Sequence, residues 1–230
     1  MEKYTEWKKE IEKIISQVEG SVCINFYDLN KNNVFSINGD KKVLSASTIK
    51  LLILAELMKK ISENKFSLSD TIMIADSMKT GGDGVLKELN TGHHFTLKEL
   101  ATLMIIVSDN QATNILIDFL GMENINQLGK ELDLKETFLG RKMMDAEARK
   151  KGYDNYKEKL INKEASQLML DILLRQQQGE RLQRYLPSDI KIAHKCGDLD
   201  NLENDGGIIW LGDRAYILVV LTNGMPNLQC

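Results

Sequence analysis

The chain has 230 residues, of which 43% are hydrophobic and 27% charged, which is typical of an ordinary soluble globular protein. The formal net charge of −3 gives no indication of nucleic acid or an anionic membrane as a partner. The longest apolar stretches, such as 216–221, are far too short to span a bilayer.

The cysteines and histidines do not have the spacing of a metal site or of a disulfide framework. We therefore predict no metal and no cofactor. The residues concerned are Cys23, Cys196, Cys230, His93, His94 and His194.

The N-terminal residues do not resemble a secretory signal, because no apolar segment follows Met1. We expect either a cytoplasmic protein or the mature form of an exported one. The sequence leaves both locations open.

The first predicted elements are an amphipathic helix and a β-hairpin. Apolar side chains recur at helical spacing over residues 4–18, and Gly20 ends this helix. Residues 21–29 and 34–37 are predicted strands, joined by an asparagine-rich turn over 30–33.

The middle of the chain is predicted to be mostly helical. Residues 46–62 are apolar almost all round, which indicates a buried helix. Loops are expected over 81–84, which is rich in glycine, and over 139–156. Further helices are predicted over 97–107, 110–120, 123–131 and 162–177.

Strands return after Pro187. Alternation begins at Ile190, and residues 208–211 and 216–221 are predicted strands on either side of a turn at 212–214. We expect strands from the two ends of the chain to pair in one antiparallel sheet.

The predicted fold is therefore of the α+β class. Residues 1–45 and 186–230 would form a lobe with an antiparallel sheet flanked by helices. Residues 46–185 would form an inserted all-helical lobe. A cleft between the two lobes is the expected place for an active site.

Ser47-Thr48-Ile49-Lys50 is the first segment with suggestive chemistry. Residues three apart share a helix face, so the Lys50 amine would lie beside the Ser47 hydroxyl. A serine hydroxyl needs a base, and lysine acts as one when burial or a nearby cation lowers its pKa. Ser47 also lies near the helix start, where free N–H groups favour a developing oxyanion.

The Ser-x-x-Lys pattern is weak by itself, because the chain contains it three times. Ser62–Lys65 lies at a predicted helix end in polar surroundings. Ser188–Lys191 leads into a strand, where residues three apart point to opposite faces. Only Ser47–Lys50 begins a buried apolar helix.

Ser108-Asp109-Asn110 lies between two apolar helices. Taken alone, it is most simply a helix cap, because Ser, Asp and Asn are the preferred N-cap residues. A role in a catalytic site is the alternative.

Lys195-Cys196-Gly197-Asp198 continues the alternating strand. A lysine on a strand at the edge of a cleft can hold a carboxylate, and the following glycine allows a close approach of the backbone. Lys79-Thr80-Gly81 has a similar composition, but it precedes Ser108 and lacks strand character, so we interpret it as the beginning of a loop.

Together, these segments resemble the penicillin-recognising serine hydrolases, and most closely the class A β-lactamases. That family carries Ser-x-x-Lys, Ser-Asp-Asn and Lys-(Ser/Thr)-Gly in this order. Residues 82–87 and 139–142 also look like segments of this group, so the resemblance covers nearly the whole chain. It implies an antiparallel sheet flanked by helices and joined to an all-helical lobe.

The resemblance implies catalytic roles for three residues. Ser47 would be the nucleophile, and Lys50 would be its base, with a pKa lowered partly by Lys195. Ser108 would pass a proton to the leaving nitrogen. The substrate-binding residues would be Asn110, Lys195, Cys196, Gly197 and Asp198.

Within the substrate-binding set, Asn110 would bind the side-chain amide of the substrate, and Lys195 would attract its carboxylate. The backbone N–H groups of Ser47 and Asp198 would form the oxyanion hole. The expected partner is thus a small molecule, either a β-lactam or an acyl-peptide or ester.

One departure from the family concerns the loop that carries the deacylating base. Class A enzymes have an Arg there, followed two residues later by a Glu that activates water. Arg141 matches the Arg, but Met143 occupies the Glu position, and a thioether takes no proton at neutral pH. Asp145 and Glu147 are the candidate substitutes, and we expect intact acylation with slow deacylation.

Another departure is Cys196, which replaces the family's Ser or Thr. A thiol donates a weaker hydrogen bond than a hydroxyl, so carboxylate binding should weaken. The alternatives are simple tolerance of a small residue at this position and a reactive thiol beside Lys195.

The chain ends at Cys230, whereas the family adds a final helix that packs on the sheet. A truncated chain is one explanation. We therefore expect either a monomer or a dimer that covers the exposed sheet face.

Three functions remain open. The first is a β-lactamase with slow or unconventional deacylation. The second is a penicillin-binding D,D-peptidase or esterase that β-lactams inhibit, which Met143 favours. The third is a non-catalytic binding protein on the same scaffold.

Overall fold

A five-stranded antiparallel sheet is the largest element of the fold. The computed structural model describes residues 2–134, 136–157, 167–178 and 181–226. Its strands are β1 (Ser21–Asp28), β2 (Asn33–Ile37), β3 (Val43–Leu44), β4 (Thr71–Met73), β5 (His94–Thr96), β6 (Tyr156–Lys157), β7 (Lys191–Leu199), β8 (Leu202–Leu211) and β9 (Arg214–Asn223). The sheet order is β2-β1-β9-β8-β7, so strands from the two ends of the chain pair as predicted.

All the described helices except the first lie between β3 and β7. They are α1 (Glu2–Ile15), α2 (Lys50–Ser62), α3 (Leu97–Ile106), α4 (Asn110–Leu120), α5 (Met122–Glu131), α6 (Ala146–Lys150) and α7 (Gln167–Leu173), with 3-10 helices at Ala46–Ile49, Asp76–Met78 and Leu86–Glu88. The α+β class is confirmed, and the division into two lobes stays a prediction. Within the described ranges, no helix has the length and apolar character needed to cross a membrane.

Alternation along the strands gives the main sheet two apolar faces. One face, which includes Cys23 and Val219, packs against Leu170 of α7. The opposite face, which includes Val22, packs against Ile11 of α1. Helices therefore cover parts of both sheet faces, as the family resemblance implies.

The predicted helix over 4–18 is too long, because α1 ends at Ile15. The Ser16 hydroxyl donates to a main-chain carbonyl of the last turn. Gly20 has a φ of +93°, and a Cβ atom there would lie 2.7 Å from Asn223 O. The chain therefore turns tightly into β1 against the end of β9.

The helix predicted over 162–177 ends early, at Leu173. The Gln176 side chain provides the reason, because its Nε2 donates to Ile105 O at 2.9 Å. Its Oε1 accepts from the N–H groups of Gln177 and Gln178, which replaces helical hydrogen bonds. Residues 162–166 lie outside the described residues.

The predicted loop over 139–156 is wrong in part, because it contains α6. Asp145 caps this helix by accepting from Ala148 N at 2.9 Å. The loop then runs into β6, which pairs with β3. Elements of two to five residues are too short for a periodic pattern to reveal, and β4 and β5 escaped prediction for the same reason.

β8 begins at Leu202, well before the predicted strand over 208–211. Its first half carries buried polar residues instead of alternating apolar ones. Asn204 Nδ2 donates to Leu44 O at 2.8 Å, and Asn204 Oδ1 accepts from Thr222 N at 2.9 Å. These bonds satisfy the amide inside the protein, which hydrophobic patterning does not reveal.

A capping box begins α3 and provides a test of the fold. Thr96 Oγ1 accepts from Glu99 N at 3.1 Å, and Glu99 Oε2 accepts from Thr96 N at 2.7 Å. We expect Thr96→Ala to lower the free energy of unfolding by about 1 kcal/mol, measured by urea denaturation. Thr102→Ala, on the same helix but outside the cap, is the control and should cost less than about 0.5 kcal/mol. Equal losses in the two variants would contradict a capping role.

Candidate active site

Ser47 lies in the 3-10 helix Ala46–Ile49, and Gly197 of β7 lies against its backbone. A Cβ atom on Gly197 would be 2.4 Å from Ser47 N and 2.9 Å from Thr48 N, so only glycine allows this approach. Ala46 has a φ of +45°, which is uncommon for a residue with a side chain. The Ser47 hydroxyl forms no hydrogen bond within the described residues, and Ser47 is partly exposed.

The Lys50 amine is fully buried and lies among three oxygen atoms. Its Nζ is 2.7 Å from Ser108 O, 2.9 Å from Ser108 Oγ and 2.9 Å from Asn110 Oδ1. Across the described part of the chain, no hydrogen bond joins Lys50 to Ser47. Lys50 therefore links the start of α2 to the corner that precedes α4.

The electrostatic surroundings of Lys50 favour its neutral form. Burial lowers the pKa of the amine well below its usual range, and the positive charge of Lys195 lowers it further. The charges of Asp83 and Asp109 act in the opposite direction but are smaller causes. Burial also lowers the pKa of Lys195. An amine with a depressed pKa is available to act as a base.

The Ser-Asp-Asn segment forms the predicted helix cap and also contacts Lys50. Asp109 is the N-cap of α4, because its Oδ1 accepts from Ala112 N at 2.9 Å. Its Oδ2 accepts from Val85 N and from the next N–H, each at 2.7 Å, which holds the preceding loop. Ser108 and Asn110, on either side of this cap, both face the Lys50 amine. Ser108 adopts a φ of +53° to do so.

Lys195 is fully buried on β7, and its Nζ donates to Cys196 O at 2.6 Å. The Cys196 thiol donates to Gln178 O at 2.6 Å. Burial raises the pKa of this thiol. Cys196 is therefore a buried hydrogen-bond donor, which is not the environment of a reactive cysteine.

Asp198 lies in a charged cluster at the end of β7. Arg181 Nη2 is 3.1 Å from Asp198 Oδ1, and Arg181 Nε is 3.4 Å from Glu203 Oε2. Sequence reasoning missed Arg181, because it belongs to no motif and only folding brings it to these strands.

The loop after Leu139 is closed by polar contacts at its two ends. The Arg141 guanidinium forms an ion pair with Asp154, with a distance of 2.9 Å between Nη2 and Oδ1. Asn155 Oδ1 accepts from Gly140 N at 2.8 Å and from Arg141 N at 3.1 Å. The loop therefore has a defined backbone path past Met143.

Met143 is buried, and its backbone is held by Asn114 of α4. Asn114 Oδ1 accepts from Met143 N at 2.8 Å, and Asn114 Nδ2 donates to Met143 O at 3.1 Å. Asn114 was not predicted as a site residue. Its position four residues after Asn110, on the same face of α4, is the signal that was available.

The two candidate substitutes for the loop base are engaged elsewhere. Asp145 caps α6, as described above. Glu147 is three-quarters exposed and pairs with Lys150 at 2.8 Å. In the described part of the chain, neither carboxylate forms a hydrogen bond or an ion pair with Ser47 or Lys50.

The other Ser-x-x-Lys segments lie outside this cluster. Ser62 and Ser188 are both exposed. Lys79 is exposed after the 3-10 helix Asp76–Met78, as expected for a loop. Within the described ranges, no group of three or more His, Cys, Asp or Glu side chains is placed to hold a metal ion.

Comparison with known proteins finds relatives that match most of the chain. The chain matches the model of the β-lactamase enzyme family over residues 6–229. It is 26% identical over 236 residues to a β-lactamase of Bacillus licheniformis, with 94% of this chain and 76% of that protein covered. It is 25% identical over 199 residues to the β-lactamase AER-1 of Aeromonas hydrophila, where the match spans 79% of this chain and 66% of the relative.

Solved structures show the same fold. A β-lactamase from Sphaerobacter thermophilus superposes with a TM-score of 0.82 at 27% identity, covering 94% of this chain and 87% of that one. The protein PBP-A superposes with a TM-score of 0.85 at 24% identity, covering 97% and 89%, which shows the fold alone. An L158E mutant of PBP-A is known as an acyl-enzyme complex with penicillin G. The chain belongs to the β-lactamase enzyme family.

The coupling between the two buried lysines can be measured. Lys195→Met should raise the pKa of Lys50, because it removes a positive charge that lowers this pKa. A 13C NMR titration of the Lys50 side chain would measure the change. Lys195→Arg keeps the charge and is the control, for which we expect little change. An equal Lys50 pKa in the two variants would contradict the coupling.

Proposed function

We propose that this protein is a serine β-lactamase-like hydrolase that opens β-lactam amide bonds through an acyl-enzyme on Ser47. The observation that carries the proposal is the buried Lys50 amine, hydrogen-bonded to Ser108 and Asn110. Burial of an amine at the cost of its charge disfavours folding, and an apolar side chain would serve stability better. A chemical use for the amine is therefore the better explanation.

Acylation begins when neutral Lys50 takes the proton of Ser47 Oγ as this oxygen attacks the carbonyl carbon. The backbone N–H groups of Ser47 and Asp198 stabilise the oxyanion. The close contact between Gly197 and Ser47 N supports this role for Asp198, because it holds the end of β7 beside the nucleophile.

Ser108 completes acylation by delivering a proton to the leaving nitrogen as the C–N bond breaks. Its Oγ is 2.9 Å from Lys50 Nζ, so the proton taken from Ser47 can pass through Ser108. Asn110 binds the side-chain amide of the substrate, and Lys195 binds its carboxylate. The Cys196 thiol donates to Gln178 O, and a thiol is a weaker hydrogen-bond donor than a hydroxyl. Cys196 should therefore bind the substrate carboxylate more weakly than the Ser or Thr of the family would.

Deacylation is the slow step in this proposal. Met143 occupies the position of the general base, and its thioether accepts no proton. Asp145 and Glu147 remain the candidate substitutes, but helix capping and the pair with Lys150 occupy them. Water must then attack the acyl-enzyme without a well-placed carboxylate.

A penicillin-binding D,D-peptidase or esterase is the second candidate, and Met143 is the observation that favours it. Such an enzyme shares the acylation machinery and is inhibited by β-lactams. A non-catalytic binding protein is a third and weaker candidate, because the buried contacts of Lys50 with Ser108 and Asn110 would then have no chemical use.

Intact-mass spectrometry with benzylpenicillin would test whether Ser47 is acylated and how slowly the acyl group leaves. We expect a persistent adduct on the wild-type protein and slow turnover of a chromogenic cephalosporin. Ser47→Ala should abolish the adduct, because it removes the nucleophile. Ser62→Ala changes the exposed serine of another Ser-x-x-Lys segment and should leave the adduct intact. Neither adduct nor turnover in the wild type would exclude both enzymes, and rapid turnover would contradict slow deacylation.

Restoring the loop carboxylate should accelerate deacylation. A general base contributes about 10²-fold or more, so Met143→Glu should shorten the lifetime of the acyl-enzyme by roughly that factor. The adduct decay rate, followed by mass spectrometry, measures this change. Met144→Glu places the same charge on the adjacent, exposed residue and is the matched control. Equal acceleration in the two variants would contradict the assignment of position 143.

A further inference from the structure

The loop over residues 81–84 lies directly against the proposed binding residue Asn110. Asn110 N donates to Asp83 O at 3.0 Å, and Asn110 Nδ2 donates to Gly81 O at 3.4 Å. Gly84 has a φ of +107°, and a Cβ atom there would lie 2.3 Å from the Asp109 carboxylate. The backbone on both sides of Asp83 is therefore fixed at the rim of the site.

Asp83 places a negative charge at this rim. The residue is exposed, and its carboxylate accepts no hydrogen bond and forms no ion pair within the described residues. Its charge nevertheless raises the pKa of both Lys50 and Lys195, against the lowering effect of burial. Because its backbone is held against Asn110 and its carboxylate has no partner within the described residues, Asp83 is free to act on a bound substrate.

We propose that Asp83 determines specificity by favouring substrates whose acyl side chain carries an ammonium group next to the amide that Asn110 binds. The same carboxylate disfavours a substrate with an anionic group at that place. This inference rests on the proposed function, because it concerns the acyl side chain of a molecule that acylates Ser47. Opposite charges attract across the rim and like charges repel, and both effects are moderate because Asp83 is exposed.

Three penicillins that differ only beside the side-chain amide provide the test. Benzylpenicillin is neutral there, ampicillin carries an amine and carbenicillin carries a second carboxylate. The second-order rate constant of Ser47 acylation is measured for each at pH 6, where the amine is protonated. We expect ampicillin to react faster than carbenicillin by about tenfold, with benzylpenicillin between them, and the ratio should shrink in high salt.

Asp83→Asn should reduce the ratio of ampicillin to carbenicillin to about one- to twofold, since it removes the charge and keeps the shape. Any effect of Asp83 on the pKa of Lys50 acts on all three substrates alike and cancels in this ratio. Glu88→Gln is the matched control, because Glu88 is an exposed carboxylate five residues further along the same segment. We expect it to leave the ratio unchanged.

The outcomes separate this inference from the proposed function. If all three penicillins acylate Ser47 with rate constants that differ by less than twofold, or if Asp83→Asn leaves the ratio unchanged, the role of Asp83 is overturned and the function stands. An equal change in the Glu88→Gln control overturns it as well. If none of the three acylates Ser47, the proposed function fails, and the inference fails with it.

Discussion

Burial of the Lys50 amine is the constraint on which the rest of the site depends. An amine inside the protein must find hydrogen-bond acceptors there, and Lys50 finds three within 2.9 Å at Ser108 and Asn110. To present a carbonyl and a hydroxyl to one amine, Ser108 adopts a φ of +53°. Asp109 holds this unusual corner in place, because its carboxylate accepts three backbone N–H groups from two segments. In the Ser-Asp-Asn segment, a helix cap thus holds two side chains that contact the Lys50 amine.

The helix that follows this corner organises both loops at the site. Near the start of α4, Asn110 contacts the glycine-rich loop through its backbone and its side chain. One turn later, Asn114 holds the backbone of Met143 with two hydrogen bonds. Asn114 Nδ2 also lies 3.2 Å from Thr80 Oγ1, so the two loops meet at one amide. The position of Met143 is therefore fixed by the scaffold, whatever the side chain there does chemically.

The thiol of the Lys-Cys-Gly segment is accommodated by the alternation of side chains along β7 and by a hydrogen bond to Gln178 O. Alternate residues of a strand point to opposite faces, so Lys195 and Gly197 share one face and His194 and Cys196 share the other. On the second face, His194 Nδ1 lies 2.9 Å from Asp205 Oδ1, and Asp205 Oδ2 accepts from Leu182 N at 3.2 Å. The Cys196 thiol bonds to Gln178 O beside this pair. These contacts bind the edge strand to its neighbour and to the segment before it.

The sequence by itself determined the fold class, most helices and parts of the long strands, and it singled out the Ser-Asp-Asn segment, which contacts the Lys50 amine. Helical and strand periodicity were sufficient for these elements, because each buries a continuous apolar face. Periodicity did not predict the first half of β8, because the buried residue there is Asn204, a polar side chain that is hydrogen-bonded to distant segments. It also failed at the end of α7, where the Gln176 side chain replaces backbone bonds.

Only the tertiary structure decided which neighbours each functional side chain has. The sequence suggested that Lys50 lies beside Ser47, whereas folding directs its hydrogen bonds to Ser108 and Asn110. Asn114 and Arg181 carry no motif, and their contacts follow from distances across loops and strands. The local sequence pattern shows which face of a helix or strand is apolar. A hydrogen bond or a charge effect between distant segments, in contrast, exists only once the chain has folded.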